Sequence, residues 1–190
     1  TTLASVLDTL DTLIGFDTTS RKSNLELIDW IDSQLTALGA TCTRIESACG
    51  TKSNLWARIG PDVPGGLVLS GHTDVVPVDG QDWHTDPFRL TKADGLLYGR
   101  GTSDMKSFLA LCLAFAPALA QLSLSRPVHF AFSYDEEVGC QGAPAMIARI
   151  VEAGARPYAG WVGEPTLWHV VSGHKSLVVF EVDVTGHEAH

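Results

Sequence analysis

Six residues of this chain have types and spacing that suit joint chemistry: His72, Asp74, Asp104, Glu136, Glu137 and Glu164. One imidazole with several carboxylates is a ligand set for zinc, cobalt or manganese, and it does not suit iron–sulfur or copper thiolate centres. With a single imidazole, two ions roughly 3.5–4 Å apart sharing a bridging carboxylate fit better than one tetrahedral zinc. His72 and Asp74 are two residues apart and project to one face of an extended chain. A carboxylate there can take the ring N–H that a metal leaves free and so fix the tautomer. Glu136 and Glu137 are adjacent anions at a strand end, which is unfavourable without a cation nearby. One can be a ligand, and the other a base that takes a proton from an activated water. Glu164 is held extended by Pro165. Taken singly, each has a plainer reading: a loop histidine beside an aspartate, a solvated acidic turn, an exposed turn glutamate and, for Asp104, an N-cap.

The elements around these residues give them a common address. Apolar spacing predicts a helix over 3–14, through Leu3, Val6, Leu7, Leu10, Leu13 and Ile14, and another over 24–38 that stops at Gly39. The segment FDTTSRKSN between them reads as polar and turn-like. Strands are expected over 42–46, 53–59, 67–71, 88–91, 96–99, 127–133 and 158–163, and helices over about 105–122 and 142–153. LWHVVSG and KSLVVFEVDVTG read as two further strands. Residues 72–101 are mostly irregular and rich in Gly, Pro and Asp, a stretch of the kind that carries function. Strand–helix alternation predicts an α/β domain with a largely parallel sheet and helices on both faces. Such sheets bind ligands beyond the carboxyl ends of their strands, which is where the six residues fall.

Composition narrows the classes. Of 190 residues, 45% are hydrophobic and 18% charged, enough for a real core. Thirteen basic against 22 acidic residues give a net charge of −9, without Lys/Arg clusters, so neither nucleic acid nor an anionic membrane surface is an expected partner. No apolar run is long enough to span a bilayer. The N-terminus lacks a basic head before an apolar stretch and reads as an amphipathic helix, not a signal peptide. Cys42, Cys49, Cys112 and Cys140 are far apart with no CxxC pair, which predicts free thiols and a reducing compartment, with Cys112 in the core. Of the other histidines, His84 reads as a solvated loop residue and His129 as structural. His169 and His174 are ambiguous near strand ends, and His187 and His190 fall together in TGHEAH.

With these motifs laid out, the chain resembles the N-terminal half of the dinuclear zinc deacylase and peptidase family, which includes acetylornithine deacetylase, succinyl-diaminopimelate desuccinylase and aminoacylase. SGHTDVVPV, GRGTSDMK, YDEEVGCQGA, GEPT and TGHEAH run in family order over residues 69–190. DGQDWHTDPF and FSYDEEVGCQGAP look most like the acetylornithine deacetylase branch. The resemblance implies a three-layer α/β/α catalytic domain with a mostly parallel mixed sheet over 1–180, and the start of a smaller dimerisation domain over 181–190. It implies two zinc ions, with cobalt as an alternative. His72 and Glu164 would bind one, Glu137 the other, and Asp104 would bridge them. Glu136 would be general base and then acid, Asp74 the partner of His72, and His190 the imidazole that polarises the scissile carbonyl. The Asp104–Met105 peptide bond would be cis.

The implied reaction is hydrolysis of a small N-acyl amino acid, N-acetylornithine giving ornithine and acetate in arginine biosynthesis, by a cytoplasmic homodimer. Desuccinylase, aminoacylase or dipeptidase specificity, or a metal-binding segment without activity alone, are the alternatives. The family is about twice as long. This chain stops at His190, so a last histidine ligand and most of the substrate pocket are expected outside it. The site of His72, Asp104 and Glu164 is therefore expected to bind metal more tightly here than the site of Asp104 and Glu137. Ser107 stands after Lys106 where the family commonly has Gly.

Overall fold

The computed structural model describes residues 2–167, 169–173 and 180–187. Helix α1 (Leu3–Gly15) opens on a reciprocal cap: Thr2 Oγ1 accepts from the Ser5 N–H and Ser5 Oγ accepts from the Thr2 N–H. It buries Leu10, Leu13 and Ile14. Helix α2 (Leu25–Ala37) buries Leu27, Ile28, Ile31 and Leu35 and ends at Gly39, whose φ of +82° reverses the chain. Strands β1 (Thr41–Glu46), β2 (Ser53–Ile59) and β3 (Leu67–His72) follow. The two helices and three strands match the sequence expectation to within a residue or two.

After β3 comes a hairpin of β4 (Thr91–Ala93) and β5 (Leu96–Tyr98), turning on Asp94-Gly95 with both residues at positive φ. The strand expected over 88–91 thus begins only at Thr91, because the preceding residues form a turn in which the Arg89 N–H donates to Asp86 O. The chain continues through α3 (Lys106–Ala120), β6 (Val128–Ser133), α4 (Ala143–Glu152) and β7 (Ala159–Val162). Of the two strands expected at the end, residues 174–179 lie outside the described residues. Residues 169–173 and 180–187 form no helix or strand.

The five long strands make one sheet in the order β1-β2-β6-β3-β7. β3 pairs in parallel with β6 and β7, while β2 is antiparallel to β1 and β6, so β2 alone runs against the other four. Alternation along the strands feeds two cores. Leu55, Ala57, Ile59, Phe130 and Phe132 pack with α1, α2 and α3 on one face. Ala131, with Ile45, Trp56 and Val68, packs with Met146 and Ile150 of α4 on the other. The expected three layers are present. Each large side chain fully buried in these cores contributes roughly 1.5–3 kcal/mol.

This topology sets the position of the site. The connection from β3 to β6 runs through α3 on one face. The connection from β6 to β7 runs through α4 on the other and returns across β3. In register His72 lies beside Ser133, and Ser70 beside Val162, so the carboxyl ends of β6, β3 and β7 form one rim. An open α/β sheet binds its ligands at such a rim.

Candidate active site

His72 closes β3 and is 1% exposed. Its Nδ1–H donates to the main-chain oxygen of Asp74 at 2.8 Å. A carbonyl oxygen can only accept, so Nδ1 carries a proton and Nε2 faces outward. Nε2 is 2.8 Å from Asp104 Oδ1, 3.9 Å from Glu136 Oε2 and 4.0 Å from Glu164 Oε1. One ligand atom each of His72, Asp104 and Glu164 falls within 4.8 Å of the others. Three separate segments of the chain therefore deliver a metal-type donor set to one point on the rim.

Two glycines let these segments close together. A Cβ on Gly71 would meet Leu109 Cδ1 at 2.7 Å and Met105 Cε at 2.9 Å, and one on Gly163 would meet the Phe108 ring at 2.0 Å. The first turn of α3 therefore lies directly against the ends of β3 and β7, which brings Asp104 to His72 and Glu164. Asp104 is not the helix cap: that position belongs to Met105, and no side chain caps it. The Asp104–Met105 bond is cis, as the resemblance implies. Lys106 is fully buried, and its ammonium donates to Leu13 O at 2.9 Å and Phe16 O at 2.7 Å, tying the end of α1 to the start of α3. Burial pulls its pKa down to about 7, against the charges of Asp17 and Asp74.

Asp74 differs in detail from expectation. Its carboxylate is 3.5 Å from His72 Nδ1, farther than its own main-chain oxygen. The carboxylate is instead occupied by other donors: the Glu136 N–H at 3.0 Å on Oδ1, and the Glu137 N–H at 3.2 Å and Ser20 Oγ–H at 2.7 Å on Oδ2. Asp74 thus holds the main chain of both glutamates as well as the histidine. Burial would raise its pKa, but the bonds from His72, Ser20 and the Glu136 amide outweigh that and hold it below the usual carboxylate value.

The electrostatics call for a cation. Burial, the charge of Asp104 and those of Glu136 and Asp74 push Glu137 up to about 6, against the pull of His72. Burial also raises Glu164, with Asp104 and Glu136 adding to it and His72 opposing. Burial opposes charging of His72, yet its bonds to Asp74 and Asp104 and the charges of Asp74 and Glu164 push it up to about 10. Nε2 thus faces a cluster of carboxylates. A divalent metal bound by Nε2, Asp104 and Glu164 would balance their charge. The donor set therefore fits the metal that the sequence implies.

His84, His169 and His187 are exposed, and His129 accepts a hydrogen bond from Trp56 Nε1–H inside the fold. His174 and His190 lie outside the described residues, so the role expected of His190 has no position here.

Several residues that support the site have no local signature in the sequence. The segment expected to be a polar turn runs beside 73–75, with a bridge between Thr19 and Val75 and with Thr18 Oγ1–H donating to Thr73 O. This is how Ser20 reaches Asp74. Asn24 bonds Ser53 in both directions and donates to Thr73 Oγ1, while Lys52 meets Asp135. One signal was available: a glycine directly precedes both His72 and Glu164.

The sequence profile of peptidase family M20/M25/M40 matches residues 68–189, a span that contains all six residues. The chain belongs to this family. It is 40% identical to an acetylornithine deacetylase of Myxococcus xanthus over all of its own length and 49% of that protein's. It is 35% identical to an acetylornithine deacetylase of Pasteurella multocida, covering 98% of this chain and 48% of that one. The chain spans about half the length of these relatives. Its fold is that of human carnosine dipeptidase 1 (TM-score 0.72, 21% identity, 84% of this chain and 38% of that one). The same holds for a metallo-carboxypeptidase of Sulfolobus solfataricus (TM-score 0.71, 23% identity, 83% and 37%). Among the described residues no helix is long and apolar enough to cross a membrane.

Proposed function

We propose that this chain carries the metal-holding half of an amide hydrolase that removes the acetyl group of N-acetylornithine. The observation that carries the reading is the cluster of His72, Asp104 and Glu164 at the sheet rim, with the Glu136 carboxylate 3.9 Å from the same imidazole nitrogen. The substrate follows the two deacetylases, which match nearly the whole chain.

Zinc is the metal of this reading; when bound it polarises the amide carbonyl and acidifies a water. His72, Asp104 and Glu164 would hold one ion, and Asp104 with Glu137 would contribute to a second. Asp74 keeps the His72 Nδ1 side committed, which leaves Nε2 free to bind a metal. Glu136 takes the proton of the attacking water. The water oxygen bonds to the acyl carbon, the C–N bond breaks, and Glu136 returns the proton to the departing amine. His190 donates to the carbonyl oxygen in this scheme. The domain division near residue 180 and a homodimer belong to the same reading.

The test is ornithine release from N-acetylornithine by the zinc-loaded full-length protein, beside succinyl-diaminopimelate, other N-acyl amino acids and dipeptides. N-acetylornithine should give the highest kcat/KM, and Glu136→Gln should lose most turnover. A higher kcat/KM for another substrate overturns the assignment of substrate, and an active Glu136→Gln overturns the mechanism.

A further inference from the structure

Lys52 belongs to none of the metal-ligating motifs in sequence and lies in the turn that leads into β2. Its backbone is pinned there: the Ser47 N–H donates to Lys52 O at 2.9 Å, and the Lys52 N–H donates to Ser47 Oγ at 3.1 Å. The next residue, Ser53, is bonded in both directions to Asn24. From this fixed base the side chain runs inward. Its ammonium donates to Asp135 Oδ1 at 2.5 Å and to the main-chain oxygen of Ser20. The two charged side chains are only 15% and 10% exposed, so this pair is not a surface ion pair.

Both partners of that ammonium are one step from the site. Asp135 immediately precedes Glu136 and Glu137 and adopts φ +55°, a left-handed conformation that few non-glycine residues take and that aspartate tolerates better than most. Its main-chain oxygen accepts from the Gln141 N–H, which closes the turn. Ser20 is the residue whose hydroxyl holds Asp74 Oδ2, and Asp74 in turn holds the Glu136 and Glu137 amides. One cation therefore joins the strand-like segment that orients Asp74 to the turn that carries both glutamates.

We propose that Lys52 is a positioning residue of the active site, clamping the Asp135-Glu136-Glu137 turn against Ser20 and Asp74. The inference rests on the reading of Glu136 as base and Glu137 as ligand. Lys52 touches no substrate and no metal. It acts by fixing where the two carboxylates start, because a left-handed aspartate with a satisfied side chain leaves the following peptide little freedom. Outer partners of metal sites typically change affinity or rate by roughly 10–100-fold when removed.

The experiment compares Lys52→Met, Lys52→Arg and the double variant Lys52→Met/Asp135→Asn in the zinc-loaded full-length protein. Turnover, zinc affinity by chelator competition, melting temperature and hydrogen exchange of the Glu136 and Glu137 amides are measured. Lys52→Met should lower kcat and zinc affinity by roughly 10–100-fold with little change in KM, and should expose both amides to exchange. Lys52→Arg should restore part of each. The double variant removes the stranded carboxylate charge, so it should recover melting temperature while staying slow and weak in zinc binding. Recovery of rate together with stability in the double variant would show a purely structural pair and overturn the inference. So would wild-type kcat and zinc affinity in Lys52→Met. Glu136→Gln is run alongside: an unaffected Lys52→Met beside an inactive Glu136→Gln sinks the role of Lys52 alone, and an active Glu136→Gln sinks the reading beneath it.

Discussion

Asp74→Asn replaces one carboxylate oxygen with an NH2 group in a place where every neighbour donates. Oδ1 receives the Glu136 N–H, and Oδ2 receives the Ser20 hydroxyl and the Glu137 N–H. If the amide nitrogen takes the Oδ1 position, the Glu136 N–H is left facing a donor. If it takes the Oδ2 position, Ser20 can rotate to accept, but the Glu137 N–H cannot. Either way at least one half-buried backbone N–H loses its acceptor, which costs up to about 1–3 kcal/mol. The bonds that survive change from charge-assisted to neutral and lose about half their strength. The loss should total about 2–5 kcal/mol in urea unfolding, close to what breaking a buried charged network costs. The Glu136 or Glu137 amide should exchange faster, and zinc affinity should fall roughly 10–100-fold through the displaced His72 and Glu137. Stability within about 0.5 kcal/mol of the parent, the range of an ordinary surface change, would refute the claim that this carboxylate organises the site.

Glu136→Gln should keep its zinc stoichiometry while losing turnover, whereas Glu137→Gln should lose zinc at one site; metal analysis beside kinetics separates them, and equal zinc loss in both would sink the division of labour. Gly163→Ala places a methyl 2.0 Å from Phe108 Cγ, so the ring or the end of β7 must move. The variant should cost about 1–3 kcal/mol in denaturant unfolding and weaken zinc binding through Glu164, and Phe108→Leu on top should restore part of both. Asp32 binds Arg44 at 2.7 Å, linking α2 to β1. Burial would raise the Asp32 pKa, but the bonds from Arg44 and Thr36 outweigh it and hold it below 3.8. A depressed carboxylate stabilises the fold above its unfolded value and loses that contribution as pH falls through its folded value. Arg44→Met should therefore cost about 0.5–1 kcal/mol at neutral pH, with the difference from the parent shrinking below about pH 4. A difference that does not shrink in acid would show that the Arg44 stem, not its charge, carries the effect.

The sequence by itself determined the elements and named the candidates for the site. Apolar periods of 3.6 and 2 are local properties, so both N-terminal helices, α3, α4 and six of the seven strands fall close to where the pattern puts them. His72, Asp104 and Glu164 were legible because strand ends and helix starts are marked by local chemistry, and the sheet rim is where such ends meet. Tertiary structure alone decided the rest. No local period says that β2 runs against its neighbours, or that β7 returns across β3 to lie beside it. Nor does the polarity of FDTTSRKSN announce that Ser20 is buried against Asp74, 54 residues away in sequence. Lys52 and Asp135 meet across 83 residues, and the carbonyls that Lys106 caps lie more than 90 positions before it or 90 at the nearest. A polar residue reads as surface until the fold supplies its partner. Burying it is favourable only once that partner is in place, so these residues carry no signal until the chain is closed.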